Sequence, residues 1–288
     1  LSPSSAAQRD ASVNRLREFA FYDRDFHALR ALVKSLTGIN LGEHKRELVY
    51  SRLTRRLRAL QMRSFADYRA LLERDPRELT ELCNAITTNV TAFFREPHHF
   101  RYLREQWLTP LAAAGGAPRR LRIWSAACSS GEEAYSIAMT VLEALPEPAR
   151  WDVRILATDL DSQMLARARL AVYPPERMQG VSPQRRQRFF VEQRAGAAPG
   201  QRIAPEVAAL VTFRQLNLMD ALPMKGPLDA VFCRNVVIYF DKDTQRDLFA
   251  RIARLQRPGD LLFLGHSESL FKVSESYALI GKSIYRRV

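Results

Sequence analysis

The residues best placed to do chemistry are Glu132 and Glu133, two adjacent carboxylates in the run Ile123-Trp124-Ser125-Ala126-Ala127-Cys128-Ser129-Ser130-Gly131-Glu132-Glu133-Ala134-Tyr135-Ser136. The run reads as a short buried strand, a turn of small residues and the start of a helix. A strand, turn and helix in that order is where α/β domains bind nucleotide-like cofactors. Phosphates usually sit at such a turn, drawn by free N–H groups and the positive helix end. Two carboxylates there repel phosphate. A ligand with an adenosine, no phosphate and a cationic part fits instead, and S-adenosylmethionine is such a molecule.

Three further segments offer polar groups. The sequence Ala157-Thr158-Asp159 ends a second strand. An acidic residue there either hydrogen-bonds ribose hydroxyls or caps the helix that follows. Phe232-Cys233-Arg234-Asn235-Val236-Val237-Ile238-Tyr239-Phe240-Asp241 is a buried strand running into a polar tip. Asn235 there is either an adenine or amino-group partner or a turn residue, and Tyr239 either lines a transfer site or belongs to the core. Thr87-Thr88-Asn89-Val90-Thr91-Ala92-Phe93-Phe94-Arg95-Glu96-Pro97 concentrates hydroxyls, an amide and an arginine around two aromatics. It is either an interdomain linker or a pocket wall in which Arg95 pairs with a carboxylate. Gly265-His266-Ser267-Glu268-Ser269 follows a strand and can border the same site. His98 and His99 lack an acidic or cysteine partner at ligand spacing and read as surface or capping residues; no metal site is expected. The cysteines Cys83, Cys128 and Cys233 have no ligand spacing and read as small buried hydrophobes, with Cys128 reactive only if its turn is open.

The elements that must hold these groups fall into two patterns. Residues from about 22 to 114 read as helical, with helices near 26–36, 43–60, 64–72, after Asp75-Pro76 and after Pro97. Past the break Gly115-Gly116-Ala117-Pro118, strands at 121–125, 153–158, 211–216, 228–233 and 261–264 alternate with helices at 132–145, 162–170 and 244–255. That order predicts an open, mostly parallel sheet with helices on both faces. Tyr173 to Pro205 interrupts it and reads as an insertion, with a helical piece near Ser182–Phe190 and a hairpin turning at Pro199-Gly200.

The chain has 288 residues, is 47% hydrophobic, and carries a net charge of +13. It is long enough for one large domain and a smaller one. No apolar run approaches the roughly 20 residues needed to span a bilayer, and Leu1–Ala11 lacks a signal-peptide core. A cytoplasmic chain with a disordered N-terminal tail is expected. The excess charge calls for an anionic partner: nucleic acid, a membrane surface or an acidic protein. In the second helix Val49, Leu53, Leu57 and Leu60 share one face, and Lys45, Arg52, Arg55 and Arg56 an adjoining one. Residues 43–63 hold seven basic and two acidic residues, so the positive excess of the N-terminal region is concentrated in one segment, either a solvated face or a docking surface.

Taken together, the segments 88–96, 124–136, 233–241 and 265–269 resemble those of the bacterial chemotaxis-receptor methyltransferases, the CheR family. The resemblance spans from about residue 20 to the C-terminus. It implies an α/β fold: a Rossmann-like S-adenosylmethionine-dependent methyltransferase domain with an inserted small β-subdomain, preceded by a small all-α N-terminal domain. The implied organisation is a tail over 1–20, a helical domain over 21–90, a linker and connecting helix over 91–118, and a catalytic domain over 119–288 with the insertion at about 173–210. The implied activity is methyl-ester formation on glutamate side chains in the cytoplasmic helical region of methyl-accepting chemotaxis receptors, with S-adenosylhomocysteine as product. By the same resemblance Asn89, Thr91, Arg95, Glu133, Asp159, Asn217, Leu218, Asn235 and Val236 contact the cofactor. Arg95 and Tyr239 serve the transfer centre, and the basic face with Lys45, Arg52, Arg55, Arg56 and Arg58 docks the receptor. Some members grip a receptor C-terminal pentapeptide, whose motif the region Arg194–Pro205 does not reproduce.

A glutamate carboxylate, with an ordinary pKa of about 4.3, is already ionised at neutral pH and needs no strong base. Catalysis then rests on alignment and on removing water. Two rival readings remain. A nucleic-acid methyltransferase would suit the charge, but the tip Asn235-Val236-Val237-Ile238 lacks the prolines of amino-nitrogen methylases. A non-catalytic S-adenosylmethionine sensor would keep the pocket without the chemistry.

Overall fold

A computed structural model describes residues 17–114, 120–145, 147, 150–192 and 200–288. The expected break at Gly115–Pro118, the turn at Pro199 and residues 1–16 of the expected tail lie outside the described residues. The chain divides into two compact units, one comprising residues up to Thr88 with Tyr239–Asp241, the other Asn89–Ile238 with Lys242–Val288.

The first unit is built from α1 (Asp23–Thr37), α2 (Arg46–Ala59), α3 (Phe65–Leu72) and α4 (Pro76–Ile86). Their ends are written in the sequence. Gly38 closes α1 in the left-handed region at φ 73°, where a side chain would be strained. Ser64 and Asp75 accept the N–H groups of Asp67 and Arg77 at the starts of α3 and α4. Val49, Leu53 and Leu57 of α2 are fully buried with Phe21, Phe26, Phe65 and Tyr68. Arg17–Ala20, expected in the tail, instead belong to this unit: Arg17 pairs with Glu47, Glu18 with Arg58, and the Phe19 N–H reaches the Tyr50 hydroxyl. Tyr239–Asp241 join it through the Asn40 N–H, 2.8 Å from the Tyr239 carbonyl, and through Lys34, 2.9 Å from Asp241.

The second unit opens with α5 (Pro97–Tyr102), which continues through a π-helical stretch, Leu103–Leu108, into α6 (Thr109–Ala113). Its sheet holds seven strands: β1 (Arg120–Ala126), β2 (Asp152–Asp159), β6 (Val211–Gln215), β7 (Ala230–Cys233), β8 (Leu261–Phe263), β9 (Tyr277–Gly281) and β10 (Ile284–Arg287). The order is β6-β2-β1-β7-β8-β10-β9, parallel from β6 to β8. Strand β7 is apolar and wholly buried, and β1 is buried from Ile123 to Ala126, as strands covered on both faces must be. The helices α7 (Glu132–Ala144), α8 (Ser162–Leu170) and α11 (Lys242–Ala253) connect them. The antiparallel hairpin β9–β10 was not expected from the sequence. Its two-residue turn is Lys282-Ser283, and exposed Ala278 and Leu279 break the alternation of the strand.

The insertion carries α9 (Pro183–Phe189), α10 (Pro205–Ala208) and a small antiparallel sheet, β3 (Val172–Tyr173), β4 (Phe190–Glu192) and β5 (Gln201–Ile203), in the order β3-β5-β4. The expected hairpin strands are therefore β4 and β5. No described helix is long and apolar enough to cross a membrane.

Candidate active site

The parallel strands end together, and their tips carry the polar residues. The turn after β1 is tightly wound, with Ala127, Ser129 and Gly131 all at positive φ (61°, 51° and 96°). A Cβ on Gly131 would lie 2.9 Å from the Ala168 Cβ and 3.0 Å from the Tyr173 hydroxyl, so both φ and space require glycine. The Cys128 N–H donates to the Thr158 carbonyl at 2.9 Å, fastening this turn to the end of β2.

Asp159, at the tip of β2, is 6% exposed. Its carboxylate accepts the N–H groups of Ser129 (2.7 Å) and Asp161 (2.8 Å). Burial pushes its pKa up to about 6 against those hydrogen bonds. The helix-capping alternative belongs to its neighbour: Asp161 accepts the N–H groups of Gln163 and Met164 at the start of α8, and the Asn89 side-chain amide at 2.7 Å. The Leu216 N–H donates to the Asp159 carbonyl, which brings Asn217 and buried Leu218 to the same end of the sheet.

Glu132 and Glu133 point differently, as consecutive helical residues must. Glu132 is fully buried, bonded by the Ser130 hydroxyl (2.7 Å) and 3.4 Å from Arg177 of the insertion. Glu133 accepts the Ser125 hydroxyl on Oε1 (2.7 Å) and Arg234 Nη1 on Oε2 (2.9 Å). Burial raises its pKa, and Arg234 opposes the rise.

Arg234, just past β7, has a side chain only 1% exposed. Besides Glu133 it reaches the Arg95 carbonyl at 2.5 Å and Glu96 Oε2 at 3.2 Å through Nη2. Glu96 in turn takes His266 Nδ1 at 3.0 Å and the Asn235 amide at 3.4 Å. Burial would raise the Glu96 pKa, but Arg234 and His266 overcome it and hold it at about 2. Glu268 accepts four backbone N–H groups, from Asn235, Val237, Ile238 and Gly265, and so fixes the strand tip. Gly265 is needed there because a Cβ would meet the Asn235 amide nitrogen at 2.4 Å.

One expectation is corrected. His99 is not a surface residue: it is fully buried, its Nε2 near the Lys282 carbonyl and Ser283 hydroxyl. It also has an acidic neighbour, Glu96, whose Oε2 lies 3.5 Å from Nδ1. Glu96, His98 and His99 bring ligand-type atoms within 4.8 Å of one another, but Glu96 is already paired with the Arg234 guanidinium, 3.2 Å from its Oε2. Burial, then the Arg234 charge, hold His99 at a pKa of about 3 and therefore neutral. Cys128 is the small buried residue expected: its turn is closed, it is 1% exposed and burial raises its thiol pKa well above normal.

The structure thus gathers Asn89, Glu133, Asp159, Asn217, Leu218 and Asn235 at the strand tips of one unit. Val236 adjoins Asn235, and Thr91 and Arg95 lie on the segment that Arg177 and Arg234 fasten by its carbonyls. The half-buried Arg95 side chain donates to the Val90 carbonyl at 2.7 Å. Tyr239 falls in the helical unit, where its carbonyl accepts the Asn40 N–H. The basic face of α2 is less available than its charge suggests. Arg52 donates to the carbonyls of Ala85, Ile86 and Thr87 at the end of α4, and Arg56 grips buried Glu78 with two bonds. Arg58 pairs with Glu18, while Arg55 is exposed and Lys45 half-buried. The functional network that sequence reasoning left unassigned is Arg234, Glu96 and Glu268. Its one signal was an arginine directly after a fully apolar strand.

Among the groups at the strand tips, the Asp159 and Glu133 carboxylates and the buried, unpartnered Ser129 hydroxyl can accept. These acceptors suit hydroxyls and a cation, and the two carboxylates oppose phosphate. Sheet order and site together define a Rossmann-like S-adenosylmethionine-dependent methyltransferase. Residues 24–87 match the family description "CheR methyltransferase, all-alpha domain" and residues 89–286 match "CheR methyltransferase, SAM binding domain". The chain is 46% identical over 272 residues to chemotaxis protein methyltransferase 2 of Pseudomonas aeruginosa, covering 93% of this chain and 95% of that protein. It is 42% identical to the chemotaxis protein methyltransferase of Klebsiella aerogenes (98% and 96% covered) and 40% identical to that of Escherichia coli (92% and 91%). The chain belongs to the CheR methyltransferase family, and its cofactor is S-adenosylmethionine.

Proposed function

We propose that this chain forms methyl esters on glutamate side chains in the cytoplasmic helical region of methyl-accepting chemotaxis receptors, and so serves sensory adaptation from the cytoplasm. The observation that carries this reading is the match of both family domains, along nearly the whole chain, to proteins named chemotaxis protein methyltransferase. Bound S-adenosylmethionine supplies a methyl group activated by a positively charged sulfur.

The chain's residues then bind, orient and exclude water. Asp159 holds the ribose hydroxyls, and Glu133 the cationic methionine part. Asn89, Thr91, Asn217, Leu218, Asn235 and Val236 complete the pocket. Arg95 orients the incoming carboxylate, and Tyr239 shapes the centre without acting as base, since the nucleophile arrives ionised. Alignment and desolvation supply the rate. Exposed Arg55 and Arg58, with Lys45, attract the acidic receptor helices, whereas Arg52 and Arg56 hold their own domain together. The β3-β5-β4 sheet offers edge strands to which a receptor C-terminal peptide can add.

Incubating the protein with labelled S-adenosylmethionine and receptor-bearing membranes should yield base-labile label on the receptor. Receptors lacking their C-terminal tail test the tether. Label in nucleic acid, or none on receptor despite cofactor binding, would overturn the reading.

A further inference from the structure

We propose that Arg234 is a positioning residue that fixes Glu133 and the Arg95–Glu96 turn for cofactor binding, an inference that rests on the Glu133 role above. Two hydrogen bonds and one ion pair from one buried guanidinium reach three parts of the site: the helix α7, through Glu133 Oε2; the backbone ahead of α5, through the Arg95 carbonyl; and the Glu96 carboxylate, by charge. Its flat face lies over the Phe100 ring, 5.7 Å from the centroid. Rotation of the fork would break all of them at once, so the side chain has one setting.

That setting divides the labour of Glu133. Arg234 takes Oε2, and Oε1 meets only the Ser125 hydroxyl, leaving acceptor capacity on that oxygen for a ligand cation. The charges support the same division. Arg234 stands between the Glu133 and Glu96 carboxylates, and Glu96 has His266 as a further partner, 3.0 Å from its Oε1, whereas Glu133 shares Arg234 with it. Among the described residues, the groups that act on Glu133 are Ser125 from β1, Cys128 from its turn, Cys233 from β7, Arg234 just past it, and Glu96 from the segment ahead of α5. Arg234 is the only cation among them. Without it, a carboxylate largely out of water takes up a proton more readily and holds a cation less well. Lysine preserves the charge but not the fork, and cannot bridge Glu133, Glu96 and the carbonyl together.

The test is S-adenosylmethionine binding measured calorimetrically, without receptor, from pH 6 to pH 9, on wild type, Arg234→Lys and Arg234→Met. Arg234→Met should bind about 30- to 100-fold more weakly at pH 7, as for loss of one partner of a buried ion pair, and should regain affinity as pH rises, since burial raises the Glu133 pKa and Arg234 no longer opposes it. Arg234→Lys should lose about tenfold or less and keep the wild-type pH profile. Folded Arg234→Met protein binding within threefold of wild type with an unshifted profile would overturn the proposal. If Arg234→Met fails to fold, Arg234→Lys decides alone: binding weakened by a hundredfold at every pH marks a packing role and overturns it. Because receptor is absent, failure of receptor methylation with these binding results intact would sink the proposed substrate and leave the Arg234 assignment standing.

Discussion

Asp159 offers a test in which stability and ligand binding move in opposite directions. Its carboxyl is raised from an ordinary 3.8 to about 6 by burial. Each pH unit of that displacement is worth about 1.4 kcal/mol, so keeping Asp159 ionised inside the fold costs about 3 kcal/mol relative to the unfolded chain. The sign follows from proton binding: between the two values the folded state holds the proton more tightly, so stability is full below 3.8 and falls as pH rises through 6. Asp159→Asn removes the titration. The difference in unfolding free energy between wild type and Asp159→Asn, from denaturant curves at pH 4 to 8, should therefore shift by up to about 3 kcal/mol in the variant's favour and level off above pH 7. Cofactor affinity should do the reverse. Hydrogen bonds to an ionised acceptor are worth about 1.5–3 kcal/mol, so the variant should bind S-adenosylmethionine roughly 10- to 150-fold more weakly at pH 8, and wild-type affinity should decline below pH 6 while the variant's does not. A flat wild-type profile between pH 5 and 7, or a variant within threefold of wild type at pH 8, would refute the reasoning.

Other substitutions separate roles that look alike. Arg56→Met leaves buried Glu78 unpaired and should destabilise the helical unit by about 3–5 kcal/mol, seen in denaturant unfolding. Arg55→Glu, on the exposed face, should change stability by less than about 0.5 kcal/mol yet slow receptor methylation at low salt. Glu268→Gln places an amide against N–H donors that a carboxylate satisfies and should cost about 1–3 kcal/mol for each group left unpaired, together with cofactor affinity. Thiol reagents should leave Cys128 and Cys233 unmodified in the native protein and label both after unfolding, since burial keeps both thiols protonated.

Much of this architecture is legible from local chemistry. Asp75-Pro76 and Ser64 announce helix starts, and the apolar strands followed by small or polar residues announce sheet and site together. The pairings are a different matter. Glu96 and Arg234 lie far apart in sequence, and nothing local says that a carboxylate in the first motif meets a guanidinium in the third. The basic face of α2 misleads for the same reason: charge is visible in the sequence, but Glu78, which neutralises Arg56, sits on another helix. His99 looks like half of an exposed pair until the hairpin β9–β10 covers it, and that hairpin has no glycine-asparagine or glycine-aspartate turn to announce it.

That hairpin has a bearing on synthesis. His99 meets Ser283 across 184 positions of chain, and Glu96 meets His266 across 170. Contacts of such long range form only after the intervening chain exists. A nascent polypeptide ending before Gly265 carries the β1 turn and Asp159 but lacks Glu268, the clamp on Asn235, and has no cover over His99. The clamp on Asn235 and the cover over His99 therefore form only once the last strands have been made.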